Sequence, residues 1–91
     1  MDNESSIRKV TVRNPAGLHA RPSLAVARTV RSSQSKVNVR VDGRTADAGD
    51  ILQLLSLGVE HGTELELEAT GPDADAVLDS LVVQFDNCFG I

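Results

Sequence analysis

The chain has 91 residues, 41% of them apolar and 24% charged, with a formal net charge of −4 at pH 7. That describes one globular domain rather than a disordered segment, and a chain this short buries only about 60–65% of its unfolded surface, so chemistry is expected at the surface and not in a deep enclosed site. No apolar run approaches the roughly 18 residues of a membrane span. The acidic balance and the lack of Trp and Tyr argue against a nucleic-acid partner.

Residues 1–6 are polar and are expected to fray. Val10 and Val12 then alternate with Lys9, Thr11 and Arg13, which reads as a strand with one buried face, broken by Asn14-Pro15-Ala16-Gly17. From Pro22 to about Val30, the residues Leu24, Ala27 and Val30 recur at helical spacing, and the proline suits a first helical turn. The polar run 32–35 ends that helix. Val37, Val39 and Val41 alternate with Asn38, Arg40 and Asp42, and Asp42-Gly43 signals a hairpin into a short strand from Arg44 to about Ala48. Asp50 is placed to cap a brief helix carrying Ile51, Leu52, Leu54 and Leu55, which closes near Gly58. Leu65, Leu67 and Ala69 alternate with Glu64, Glu66 and Glu68 in a fourth strand whose outer face is acidic. A last helix sets Ala74, Val77, Leu78, Leu81, Val82, Phe85 and Phe89 on one stripe, with Asp73 and Asp75 in its first turn, where the helix dipole favours negative charge. The order β-α-β-β-α-β-α predicts an α+β domain: a four-stranded antiparallel sheet with helices on one face and water on the other.

Charge is unevenly distributed. All nine Lys and Arg lie between Arg8 and Arg44, whereas of the thirteen acids only Asp2, Glu4 and Asp42 precede Thr45. A basic side is therefore expected, facing an acidic protein or a phosphate group. The single cysteine, Cys88, cannot form an internal disulfide and reads as a small core residue in a reducing compartment. With no hydrophobic signal region in MDNESSIRK, a cytoplasmic protein is expected.

The stretch Gly17-Leu18-His19-Ala20-Arg21-Pro22-Ser23 holds the candidate chemistry. The first N–H groups of a helix have no internal partner and point outward with the positive end of the dipole, so a phosphate on His19 would meet donors already in place. The same positive end disfavours an imidazolium and leaves a ring nitrogen lone pair for attack, while Arg21 adds a planar donor fork. From these residues alone, an incidental loop histidine and a functional one both stay open. A metal site is disfavoured: the other histidine, His61, falls in a predicted turn, and no Cys or carboxylate cluster stands at ligand spacing. A Ser-His-Asp hydrolase lacks a nucleophile elbow.

GLHARP, followed by DILQLLSLG and then by HGTELELEATGPD, resembles HPr, the family of histidine-containing phosphocarriers of the bacterial phosphoenolpyruvate-dependent phosphotransferase system, over most of the chain from Arg8 to Phe89. The resemblance implies an open-faced sandwich of four antiparallel strands and three helices, and a relay rather than a stand-alone catalyst. It implies that His19 takes phosphate on Nδ1 from enzyme I and hands it to enzyme IIA proteins, that Arg21 assists, and that the amides of Ala20 and Arg21 contact the phosphate. It further implies a docking face of Arg28, Arg31, Ile51, Leu52 and Leu55, a monomer, and no cofactor. A regulatory relative, phosphorylated on the same histidine but controlling other proteins, is the alternative.

The chain also departs from the family pattern. Asp50 stands where many members carry a serine phosphorylated for regulation, and either caps the short helix or supplies a permanent negative charge there. Gly49 and Gln53 replace frequent lysines, and Ser23 replaces the usual alanine.

Overall fold

The structure is a computed structural model and describes residues 5–91. Its elements are β1 (Ser5–Thr11), α1 (Ala20–Arg31), β2 (Lys36–Val41), β3 (Arg44–Asp47), α2 (Ile51–Ser56), β4 (Glu64–Thr70) and α3 (Ala74–Asp86), followed by a short 3-10 turn, Cys88–Gly90. The four strands form one antiparallel sheet in the order β1-β4-β2-β3. Of the residues expected to fray, 1–4 lie outside the described residues. Ser5 and Ser6 are in β1, opposite Thr70 and Ala69.

The period-2 alternation sets the layers. Val37, Val39 and Val41 of β2, and Leu65, Leu67 and Ala69 of β4, are all buried on the helix-covered face, together with Val10 and Ala46. Val26 and Val30 of α1, Leu54 of α2, and Val77, Leu78, Leu81 and Phe85 of α3 close the core over them. Each of these large side chains contributes about 1.5–3 kcal/mol by leaving water. Asp42 and Gly43 both take positive φ, 49° and 76°, which gives the β2–β3 hairpin the turn geometry that matches strand twist.

The uncovered face carries the charged residues in register. Lys9 and Arg40 flank Glu66 from β1 and β2, and Arg40 pairs with Glu66 at 3.7 Å and also with Glu68. Arg8, on the other face of β1, meets Asp75 and Asp79 of α3 at 3.2 and 3.3 Å. Folding thus interleaves much of the basic N-terminal half with the acidic C-terminal half. Arg21, Arg28 and Arg31 are exposed on α1 and, among the described residues, hold no ion pair, as is true of Lys9, Arg13, Lys36 and Arg44 elsewhere on the surface, so the expected basic side is not confined to one element.

Four expectations are corrected. The first helix begins at Ala20, not Pro22, with His19 as its N-cap, and its buried row is Pro22, Ser23, Val26, Ala27 and Val30. Leu24 lies about 200° around the helix from Val26 and is 39% exposed. The last helix stops at Asp86, so Phe89 reaches the core differently: Cys88 and Phe89 turn left-handed, at φ 51° and 57°, and the Phe89 ring meets Phe85 edge-on at 4.8 Å. Cys88 is half-buried in that turn and is not a core residue.

Candidate functional site

His19 is positioned by a loop that the sheet and the helices hold at several points. The Asn14 carbonyl accepts from the Gly17 N–H at 2.9 Å, which closes the Asn-Pro-Ala-Gly turn. Leu18 N–H then donates to the Val59 carbonyl at 2.9 Å, anchoring the residue before His19 to the segment after α2. Gly17 has φ +74°, and a Cβ there would stand 2.4 Å from the Val59 oxygen, so this approach requires glycine on two grounds. His19 itself is extended (φ −83°, ψ −164°), and its carbonyl accepts the first intrahelical bond, from Ser23 N–H at 3.0 Å. The buried Ser23 hydroxyl donates to the Leu18 carbonyl at 3.1 Å.

The His19 side chain does not cap its own helix. The imidazole is half-buried, while Ala20 and Arg21 are exposed. Ala20 and Arg21 supply the first two N–H groups of a 12-residue helix, which carry the dipole's positive charge and have no intrahelical acceptor. Pro22 has no N–H to add, and the next donor, Ser23, is already bonded to His19. The open donors are therefore those of Ala20 and Arg21, beside the ring, with the Arg21 guanidinium unpaired among the described residues. This arrangement can receive a dianionic group on a ring nitrogen. Among the described residues no cluster of His, Cys, Asp and Glu could hold a metal ion, and His61 is an exposed turn residue.

The other sequence-selected residues form a second region. The Arg31 Nε donates to the Gly49 carbonyl at 2.7 Å, and Gly49 packs against Val30, so α2 starts where α1 ends. With Leu18 tied to Val59, α2 runs back alongside α1. Asp50 caps α2: one oxygen accepts from Leu52 and Gln53 N–H at 3.0 and 3.2 Å, and the other from the Gln53 side chain at 3.2 Å. Asp50 thus stands near the C-terminal end of α1, with His19 at its N-terminal end. Leu52 is 71% exposed and Leu55 37%, with Ile51 half-buried and Arg28 exposed. The structure therefore brings His19, Ala20 and Arg21 together and places Asp50, Arg31 and the start of α2 at the opposite end of α1.

Asn14 and Gly17 were not singled out as site residues from the sequence. The run of turn formers two residues before a histidine is the signal that could have marked them. The exposure of Leu24 had no signal in the apolar pattern.

Comparison with known proteins decides the family. The family described as "PTS HPr component phosphorylation site" matches residues 7–87. The chain belongs to the PTS HPr family. Within it, the chain is 32% identical over 83 residues to the phosphocarrier protein NPr of Proteus mirabilis, covering 90% of this chain and 92% of that protein. It is 34% identical over 83 residues to the phosphocarrier protein HPr of Cupriavidus necator, covering 91% and 93%. The crystal structure of HPr-C-His from Thermoanaerobacter tengcongensis superposes with a TM-score of 0.90 at 30% identity, covering 94% of this chain and 97% of that one. The open-faced HPr sandwich expected from the sequence is thus the observed fold, and the protein is a phosphocarrier of the phosphotransferase system. No helix among the described residues is long and apolar enough to cross a membrane.

Proposed function

We propose that His19 is the phosphoryl acceptor, that Nδ1 is the atom used, and that enzyme I is the donor and an enzyme IIA protein the recipient. The Nδ1 lone pair attacks phosphorus while the donor's P–N bond breaks and its electron pair returns to the donor ring. The ring proton of His19 stays on Nε2. The N–H groups of Ala20 and Arg21 and the Arg21 guanidinium receive the phosphoryl oxygens, an electrostatic role for donors fixed before the reaction. The observation that carries this reading is the pair of unpartnered helix N–H groups beside a half-buried imidazole that makes no cap bond of its own.

The face made by Leu52 and Leu55, with Ile51 beneath and Arg28 and Arg31 on its rim, is the proposed docking surface. A small apolar patch with a basic rim suits acidic partners that must be released quickly. The carrier works as a monomer in the cytoplasm, its described residues 5–91 forming one domain. Incubation with enzyme I and labelled phosphoenolpyruvate should give acid-labile phosphate that is absent in His19→Ala. An unlabelled wild type would end the reading.

A second reading, a regulatory carrier of the nitrogen-related branch, is favoured by the similarity to NPr over nearly the whole of that protein. Transfer from the phosphorylated protein to IIA proteins of the sugar and nitrogen branches separates the two.

A further inference from the structure

Asn14 and Ser23 are the buried polar side chains among the described residues, 2% and 0% exposed, and both hold the loop that carries His19. Ser23 does so locally, through the Leu18 carbonyl. Asn14 reaches to the far end of the chain: its Nδ2 donates to the Cys88 carbonyl at 3.1 Å. Its Oδ1 is buried with no hydrogen-bond partner, an arrangement proteins rarely tolerate.

The carbonyl it grips belongs to an unusual segment. Cys88, Phe89 and Gly90 take φ of 51°, 57° and 72°, three successive left-handed residues of which two have a Cβ. Such residues persist only where their surroundings over-determine them, and an observed outlier of this kind is a reason to look for function. Four contacts hold the turn: Phe89 against Phe85, the Gly90 and Ile91 N–H bonds back to Asn87 and Cys88, and the Asn14 amide. Asn14 is also the first residue of the turn that ends at Gly17, two residues before His19.

We infer that Asn14 is a positioning residue for phosphotransfer, and that through it the left-handed Cys88–Gly90 turn fixes the backbone of the His19 loop. The inference rests on His19 being the phosphoryl acceptor. Releasing either partner leaves the helix and its donors in place but lets the His19 backbone shift against the Ala20 and Arg21 amides. Misplacement by a fraction of an ångström costs transfer rate and not partner affinity.

The test measures transfer from phosphorylated enzyme I to the full-length wild type, Asn14→Ala, Phe89→Ala and the double variant, with kcat and KM for the carrier separated. Each single variant is expected to lower kcat about tenfold with KM unchanged, and the double variant to be no slower than either, because both cut one connection. Unchanged kcat in variants that are folded but melt earlier would overturn the inference, as would multiplied losses in the double variant. If Asn14→Ala does not fold, Phe89→Ala decides alone: a tenfold lower kcat supports the inference and an unchanged kcat overturns it. A wild type that takes no label refutes the phosphocarrier reading instead.

Discussion

Replacing Gly17 by alanine tests how the His19 loop is held. Alanine at φ +74° occupies the left-handed region, which costs about 1–2 kcal/mol. Its Cβ would also stand 2.4 Å from the Val59 oxygen and 3.0 Å from the Glu60 Cα, and both neighbours are backbone. Relief requires the 59–60 segment to move away, which weakens the Leu18–Val59 bond by about 0.5–1.5 kcal/mol. The sum is a loss of about 1.5–3.5 kcal/mol, or roughly 6–28 °C in Tm for a domain of this size. Gly58→Ala is the control: it has φ +62° with nothing within 4 Å of the added carbon, so it carries only the conformational part, about 1–2 kcal/mol. Urea denaturation of both variants at neutral pH reads the difference. If Gly17→Ala and Gly58→Ala agree within about 0.5 kcal/mol, the close approach to Val59 is not what fixes the loop, and the account of how His19 is positioned fails.

Ser23→Ala leaves the Leu18 carbonyl without its hydroxyl donor at a fully buried position, so a loss of about 1 kcal/mol in urea unfolding is expected, with His19 still labelled. The Ser35 hydroxyl and the Gln34 N–H hold the Asp73 carboxyl below its ordinary value of 3.8. Its folded value lies under the unfolded one, so this stabilisation is fully present well above pH 3.8 and fades as pH falls through the lower folded value. Ser35→Ala should therefore flatten the acid limb of stability between about pH 5 and 2, and an unchanged limb would contradict the assignment. Asp50→Ser keeps a cap of equal quality and removes a charge at the opposite end of α1 from His19, where screening at physiological salt weakens its reach. Transfer from enzyme I at saturating carrier should then stay within about twofold, and a larger change would mean that the charge itself slows loading as a phosphoserine would.

Strand alternation and turn chemistry were legible because each is local. Val37–Val41, the Asp42-Gly43 turn and Leu65–Ala69 declare their faces and their hairpin in a few residues, and the structure keeps all three. Helix boundaries were less legible. Pro22 marked the first turn of α1, but the helix starts two residues earlier because the His19 carbonyl already accepts from Ser23. The end of α3 was read past its Asn87 C-cap, because the left-handed Cys88 that turns the chain is held by an amide from the opposite end of the sequence. Leu24 was misread because helical spacing alone does not say which of two apolar rows faces the core. At the site, His19 and Arg21 stood out by residue type, while the residues that place them, Gly17 and Asn14, act through backbone groups and buried contacts that no local pattern displays.

The sheet order bears on how the protein is made. β1 emerges first during synthesis, yet its one partner in the sheet is β4, whose register with it runs from Glu64 to Thr70. The loop after β1 is completed later still, by a carbonyl at residue 88. Pairing at such separation closes slowly and late. A growing chain can therefore form the β2–β3 hairpin early, whereas the loop ahead of α1 gains its contact to residue 88 only after the last helix is made. On the role proposed for His19, the site is thus complete only in a finished carrier.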